Sequence, residues 1–348
     1  MAGIPGSGVG VASSMDNFRS SSLRCLALVP LAFAVACSDA VGPEEAATPS
    51  EIDVSASALR AEVEALAHDS MCGRLVGTTY ERQAATYIAA RFARAGLEAG
   101  GTDGYYQAVP IGPPATPPTT DQCAFEATVG SQNVIATLPG VGALAGEWVV
   151  IGAHFDHLGW RETNGRTEVF NGADDNASGT AVVLEVARLL GTWAAAHPDA
   201  VPARRSIMFQ TYGAEEIGLY GSRQFAVTPT VPGDSVYAMV NLDMVGMLRD
   251  GMLTIGGAGT SSVWSRLLDD ARSDGVTFVF NDDALDRSDQ WSFISFLEVP
   301  AVHLFTGLEQ YYHTPADDPP LLNYDGMSRV ARLALGLLWD LATRPGAM

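Results

Sequence analysis

Six short runs in this chain are apolar almost from end to end: NVIAT at 133–137, WVVIGA at 148–153, SIMFQTY at 206–212, VYAMVNL at 236–242, MLTIG at 252–256 and PAVHLF at 300–305. A strand with one wet face alternates apolar and polar side chains, so runs of this kind need cover on both faces. The cover lies between them, in helical segments expected near 178–192, 218–227, 262–273, 289–296 and 325–343. Strands alternating with helices in this way predict a single α/β domain, a mostly parallel central sheet with helices on both faces. Two more helices, ALRAEVEALAHD and TYERQAATYIAARFARAGLEAGG, open the domain, and the Pro-rich stretch VPIGPPATPPTTDQ separates them from the first strand. In such a sheet, groups that do chemistry belong in the loops at the carboxyl ends of the strands.

A chain of 348 residues, 47% hydrophobic, is large enough to bury a full core. Its 40 acidic residues against 20 basic ones leave a net charge of −20, which repels the phosphates of nucleic acid and of anionic membranes. Arg19 and Arg24 precede an apolar run from Cys25 to Ala36 that is too short for a stable bilayer span and ends in small residues before Cys37. The ending AVAC resembles the lipobox of bacterial lipoproteins, in which the Cys becomes the lipidated first residue. The expected organisation is a signal peptide over 1–36, with Met15 as an alternative start, a flexible acidic tether over 37–53 and the domain over 54–348. The protein is expected to be exported, periplasmic or extracellular, and to touch a membrane only through a lipid at Cys37. With Cys25 lost with the leader and Cys37 lipidated, Cys72 and Cys123 remain, and a disulfide between them is expected; two unpaired buried thiols are the alternative.

Polar residues gather where the strands end. His154 and Asp156 follow a strand in VVIGAHFDH, Glu215 and Glu216 follow another in TYGAEEIG, and Asp243 closes a third in NLDMVG. Asp174 and Asp175 stand before a helix in NGADDNASGT, and His313 lies late in the chain in YYHTPADD. Each has an ordinary reading: Asn and Asp cap helices and make turns, glutamates at a helix start complement its dipole, and a His after a strand is commonly hydrogen-bonded scaffold. Asp243 resists that reading, because a carboxylate in an apolar strand needs a cation or several donors. Taken together, two His and three carboxylates at one edge of a sheet are what two closely spaced zinc ions need, with one carboxylate shared between them.

The motifs GAHFDH, GADDNASG, GAEEIGLYGS, NLDMVG and YYHTPAD, in this order and spacing, resemble those of the co-catalytic di-zinc exopeptidases. This is the bacterial leucyl-aminopeptidase-like family, related to glutamate carboxypeptidases and glutaminyl cyclases. The resemblance runs from about residue 55, through MCGRLVGTTYERQAATYIAARFARAGLE, to the C-terminus. It implies a zinc-exopeptidase fold of the phosphorylase/hydrolase-like type and two Zn2+ ions as cofactors, with Co2+ or Mn2+ acceptable to the same donors. It also implies peptides with a free N-terminus as substrates. Carried over position by position, it makes Asp175 the bridging ligand, with His154 and Asp243 completing one metal site and Glu216 and His313 the other. His157 is the alternative to His154. Glu215 is implied as general base, Asp156 as the carboxylate that orients the His154 imidazole, and Tyr312 as a phenol that hydrogen-bonds the tetrahedral oxyanion. Asp174 and Asn176 are expected to shape the turn around Asp175.

The activity this implies is an aminopeptidase. The alternatives are a carboxypeptidase or dipeptidase of the same family, a glutaminyl cyclase, and a binding lipoprotein that keeps the fold without the chemistry. Carboxypeptidase-type relatives hold a substrate carboxylate with basic residues, and no arginine cluster is legible here. Glutaminyl cyclases characteristically carry Trp where this chain has Tyr312. One departure is Ser288-Asp289-Gln290, where the family commonly reads Ser-Asp-His; Asp289 is kept as a supporting residue. Some relatives insert a protease-associated domain where this chain has only the Pro-rich segment, so an open site is expected. The stretch FNDDALDRSDQWSFISF is expected to line the side-chain pocket, where Phe278, Phe280, Trp291 and Phe293 would suit an apolar residue or else serve as core. His303 is expected in the core, and His68 and His197 on the surface.

Overall fold

The alternation of strands and helices is realised in the computed structural model, which describes residues 48–49, 52–113, 116–201, 203–281 and 285–348. The leader expected over 1–36, Cys37 and most of the tether over 37–53 lie outside the described residues. In chain order the helices are α1 (Ala56–Leu66), α2 (Thr79–Arg94), α3 (Gly179–Ala196), α4 (Tyr220–Val227), α5 (Trp264–Asp270), the short α6 (Gln290–Ser292) and α7 (Tyr324–Thr343). The strands are β1 (Glu98–Ala99), β2 (Tyr106–Val109), β3 (Ser131–Leu138), β4 (Trp148–His154), β5 (Gly159–Thr163), β6 (Arg166–Phe170), β7 (Ser206–Tyr212), β8 (Val236–Leu242), β9 (Met252–Gly256), β10 (Thr277–Phe280) and β11 (Ala301–Phe305).

The main sheet runs β1-β3-β7-β4-β8-β11-β9-β10, with β2 also on β3. Its centre, β7, β4, β8 and β11, is parallel. β3 runs antiparallel on one side, and the parallel pair β9 and β10 joins the other side antiparallel through β11.

Alternate residues of the central strands feed two cores, as the pleat requires. Val149, Ile151 and Ala153 of β4 pack, with Ile207, Phe209 and Val240, under α1, α2, α3, α5 and α7. Val150, Met208 and Met239 face the opposite way, toward Phe225 of α4 and Phe293 beyond α6. Strand residues are apolar at successive positions because both sides of this sheet are dry. α3 is buried on nearly every side, which explains why AVVLEVARLL carries so little polar relief.

Boundaries differ from the sequence reading in instructive places. The helix expected over 289–296 is one turn, Gln290–Ser292, that widens into a looser turn over Phe293–Leu297. The hairpin β5–β6 is an element the apolar-run reading passes over, because its side chains alternate rather than cluster. Its turn, Asn164–Gly165, has φ of 54° and 74°, the left-handed pair that a two-residue hairpin needs and that Asn-Gly supplies.

Cys72 and Cys123 form a disulfide with Cα atoms 5.9 Å apart. It joins the 3-10 turn Asp69–Arg74 to the end of the Pro-rich segment, inside a small satellite cluster with Leu75, Val76, Trp160 and Val169.

Candidate active site

Strand register decides which side chains meet. His154, the last residue of β4, lies opposite Tyr212, the last of β7; Gly152 lies opposite Asn241 of β8, and Leu242 opposite Leu304 of β11. The parallel strands therefore stop at one level, and the residues just past them share one edge. Asp175 reaches the same place from the turn before α3. Gly172, which opens that turn, has φ of 56°, and a Cβ there would strike the Asp175 carbonyl and the His157 ring, so only glycine fits. Ala214, Met244 and His313, beside or within the cluster, also have positive φ, a conformation costing non-glycine residues roughly 1–2 kcal/mol each.

Asp175 sits between two imidazoles, with Oδ1 3.3 Å from His154 Nε2 and Oδ2 3.0 Å from His313 Nε2. His154 Nε2 is 3.4 Å from Asp243 Oδ1 and 3.9 Å from Glu215 Oε2. On the other side, His313 Nε2 is 3.2 Å from Glu216 Oε2. The expected ligands His154, Asp175, Glu216, Asp243 and His313 thus come together in two halves that share Asp175. His157, the alternative to His154, lies in the Glu216 half, with Nδ1 2.7 Å from Glu216 Oε1.

Asp156 does more than its sequence position suggested. His154 Nδ1 is 3.2 Å from its backbone carbonyl and 3.7 Å from its Oδ1, while its carboxylate accepts the backbone N–H of Glu215 at 3.0 Å and of Glu216 at 3.3 Å. One residue thereby fixes both the β4 imidazole and the β7 glutamate pair.

Neighbouring groups hold the Asp175 turn. Asp174 Oδ1 accepts the Gly246 N–H at 2.7 Å, and Asn176 accepts the Met244 N–H and donates to the Leu242 carbonyl, so the turn is bolted to the chain on either side of Asp243. Asp317, which sequence reasoning passed over, accepts the backbone N–H of Asp174 at 2.9 Å and of Asp175 at 3.0 Å. The departing SDQ stretch supports Asp243: Ser288 Oγ donates to Asp243 Oδ2 at 2.7 Å, and Gln290 and Ser288 both accept from Asn241. Asp289 is fully buried beside them, and burial pushes its carboxyl up to about 7.

Arg74 is the other residue that sequence reasoning missed. It is fully buried, and its guanidinium donates to the carbonyls of Phe155 (2.6 Å), Leu66 (2.8 Å), Asn171 (2.6 Å) and Gly172 (3.0 Å). It clamps the chain after His154 to the chain before Asp175, and its charge lies near Asp317, Asp156, Asp175 and Glu216, although burial lowers its pKa to about 10.

The electrostatics separate the two adjacent glutamates. Burial drives the Glu215 carboxyl well above the usual range, aided by Asp289, Asp243 and Glu216. Burial also acts against ionisation of Glu216, but hydrogen bonds with His157 and His313 prevail and hold it below the usual range. Asp175 is likewise held low by His154 and His313 against the effect of burial.

The donor set fits a metal. Ligand atoms of His154, Asp175 and Glu216 lie within 4.8 Å of one another, as do those of His154, Glu215 and Asp243. Asp243 Oδ1 is buried with no hydrogen-bond partner among the described residues, which buried carboxylates avoid unless a cation serves them. Imidazole with carboxylate is a zinc-type donor set.

A cavity of about 250 Å³ opens from this edge. His154, Asp175, Glu215, Glu216, Asp243, Tyr312 and His313 line one part; Thr254, Gly256, Asn281, Arg287, His303, Phe305 and Leu308 line the rest. This corrects two expectations. Of the stretch expected to line the pocket, Asn281 and Arg287 do so, but Phe278, Phe280, Trp291 and Phe293 do not: Phe293 is core, as the alternative had it, stacked on Phe225 at 5.6 Å, and Phe280 and Trp291 are exposed elsewhere. His303, expected in the core, lines the cavity; its register partner at the end of β9 is Gly256, which carries no side chain to cover it.

Comparison with known proteins agrees with the fold and the motifs. Among curated relatives, leucine aminopeptidase 1 of Ajellomyces capsulatus (strain H88) is 28% identical over 232 residues, covering 63% of this chain and 58% of that protein. The chain thus spans little more than half the length of that relative. Among solved structures, a zinc aminopeptidase from Bacillus subtilis superposes with a TM-score of 0.63 at 18% identity, covering 85% of this chain and 97% of that one. A glutaminyl cyclase from Bacteroides thetaiotaomicron, bound to N-acetylhistamine, gives 0.64 at 16% identity, covering 83% and 99%. These two likenesses are of fold. A model of peptidase family M28 matches residues 133–338, more than half of the chain and every residue placed at the site above except Arg74, and the chain belongs to that family.

Proposed function

We propose that this protein is a metal-dependent aminopeptidase that uses two zinc ions to remove N-terminal residues from peptides outside the cytoplasm. The observation that carries this reading is Asp175 standing between two imidazole–carboxylate pairs, beside a glutamate that no other side chain neutralises by a close hydrogen bond. His154, Asp243 and one Asp175 oxygen would hold one ion; His313, Glu216 and the other Asp175 oxygen would hold the second. Zinc held there would supply a water of lowered pKa and polarise the scissile carbonyl.

The protein's own part is proton handling and positioning. Glu215 Oε2 takes the proton of the attacking water and returns it to the departing amine. Its raised proton affinity suits it for both directions, whereas Glu216, held ionised, suits a ligand. Asp156 keeps the two glutamates in their separate places through their backbone N–H groups. Tyr312 stacks on the His313 ring at 3.8 Å, and burial raises its pKa, so the phenol stays a donor toward the oxyanion. The Cys72–Cys123 disulfide supports an oxidising compartment, and a lipid at Cys37 is the membrane contact in this reading.

The test is hydrolysis of leucyl anilide and of its N-acetylated counterpart by the zinc-loaded protein. Cleavage of the free amine alone is the expected result. Cleavage of both, or of neither with zinc bound, would overturn the aminopeptidase reading.

A further inference from the structure

Asp243 and Glu216 meet the centre of the cluster in the same way. Asp243 turns Oδ1 toward His154 Nε2 at 3.4 Å and gives Oδ2 to the Ser288 hydroxyl at 2.7 Å. Glu216 turns Oε2 toward His313 Nε2 at 3.2 Å and gives Oε1 to His157 Nδ1 at 2.7 Å. Each carboxylate has one oxygen tied back to the protein and one facing inward. Held this way, a carboxylate offers a metal one oxygen rather than two, which leaves the ion the open position that catalysis needs.

His157 is fixed in its place. It is buried, its backbone N–H donates to the Arg74 carbonyl at 3.4 Å, and its ring fills space that Gly172 leaves free, since a Cβ there would come within 2.5 Å of the ring. A carboxylate oxygen accepts, so Nδ1 carries the hydrogen. Nε2, buried with no hydrogen-bond partner among the described residues, then presents only a lone pair. The other tautomer would bury an unpaired N–H and set the Nδ1 lone pair against Glu216, at greater cost. Nδ1 is therefore committed to Glu216 and is not free to ligate a metal itself.

Little else holds the Glu216 carboxylate. Asp156 Oδ2 accepts its backbone N–H at 3.3 Å, but the carboxylate lies several rotatable bonds further on. Its close side-chain partners among the described residues are His157 and His313. An ion in the second half would take His313 Nε2 as a ligand and end that contact. His157 then remains as the side chain that orients Glu216.

We propose that His157 is a positioning residue that sets the affinity of the second metal site by presenting one oxygen of Glu216 to the ion. The inference rests on the two-ion reading above.

His157→Leu and His157→Asn separate the hydrogen bond from the packing. The two side chains fill much the same space, but only Asn keeps an N–H near the place of Nδ1. Zinc affinity is read by titrating the metal-free protein against a competing chelator. His157→Leu should weaken one of the two ions about 10–100-fold, the range for loss of such a supporting bond, and leave the other as in wild type. His157→Asn should restore most of the loss. The weakened ion should be the one that His313→Ala removes, so His157→Leu added to His313→Ala should cost no further affinity. Both ions weakened equally, Leu and Asn behaving alike, or two unchanged ions would overturn the proposal. Should the leucine variant fail to fold, His157→Ala against His157→Asn makes the same comparison. Zinc-loaded wild type that cleaves no peptide sinks the peptidase reading alone. If wild type binds a single ion, the two-ion reading fails and the comparison on that ion decides: weakening by Leu that Asn restores supports the role of His157, and no weakening overturns it.

Discussion

Glu215→Gln separates the two roles open to a carboxylate at this position. The ligand atoms of His154, Glu215 and Asp243 lie within 4.8 Å of one another, so distance alone would let Glu215 bind metal instead of moving protons. Gln keeps the length of the side chain and leaves untouched the backbone N–H bond to Asp156 Oδ1 at 3.0 Å, so the replacement stays in place and loses only its charge and basicity. As a general base, Glu215 is worth about 10²–10⁴ in kcat, or about 3–5.5 kcal/mol of barrier. The five ligands of the proposed pair of sites are unchanged, so zinc content should remain at the wild-type value. Leucyl anilide turnover and zinc by mass spectrometry, on one preparation, make the assay. A second arm uses the metal-free protein. Burial raises the Glu215 carboxyl well above 4.5 in the folded state, so ionising it costs stability as pH rises past that value, and the variant should melt higher than wild type at neutral pH. Turnover within tenfold of wild type at full zinc would refute the base; loss of zinc would make Glu215 a ligand.

Three further outcomes are expected. Asp317→Ala leaves the buried N–H groups of Asp174 and Asp175 without acceptors, at roughly 1–3 kcal/mol each; thermal unfolding should show a loss of this order that Asp317→Asn partly restores, and an unchanged melting temperature would show that the turn holds itself. Removing the Cys72–Cys123 bridge, across a separation of 51 residues, should cost up to about 4 kcal/mol by loop entropy, read by denaturant unfolding of the double serine variant. Burial lifts the Glu81 carboxyl from 4.5 to about 8. The folded state therefore holds a proton that the unfolded chain releases, and stability should fall as pH rises from about 4.5 to 8; Glu81→Gln should flatten that slope.

Where side-chain type alone decides placement, the chain was readable. Every apolar run became a strand with bounds within two residues, because a strand covered on both faces cannot hide its composition. That His154, Asp175, Glu215, Glu216, Asp243 and His313 gather at one edge was legible because most of them stand just past the ends of apolar strands. Arg74 was not, since its partners are backbone carbonyls of Phe155, Leu66, Asn171 and Gly172, which leave no mark in sequence. Asp317 was hidden for the same reason, as it binds N–H groups. The pocket misled in a different way: Phe293 is core because α4 brings Phe225 against it, and His303 lines the cavity because its partner on β9 is Gly256, and both are tertiary facts. The Asn164–Gly165 hairpin carried a readable signal, the turn dipeptide itself.

The order of strands also ties the site to the completeness of the fold. β11, late in the chain, lies between β8 and β9, so β9 and β10 connect to the rest of the sheet only when it arrives. The loop that follows carries His313 and Asp317. A chain emerging N-terminus first holds His154, Asp175, the glutamate pair and Asp243 long before it holds the strand that closes the sheet and the histidine that completes the second half of the cluster. Completion of the cluster, and any chemistry that depends on both of its halves, is therefore a late event in the synthesis of the chain.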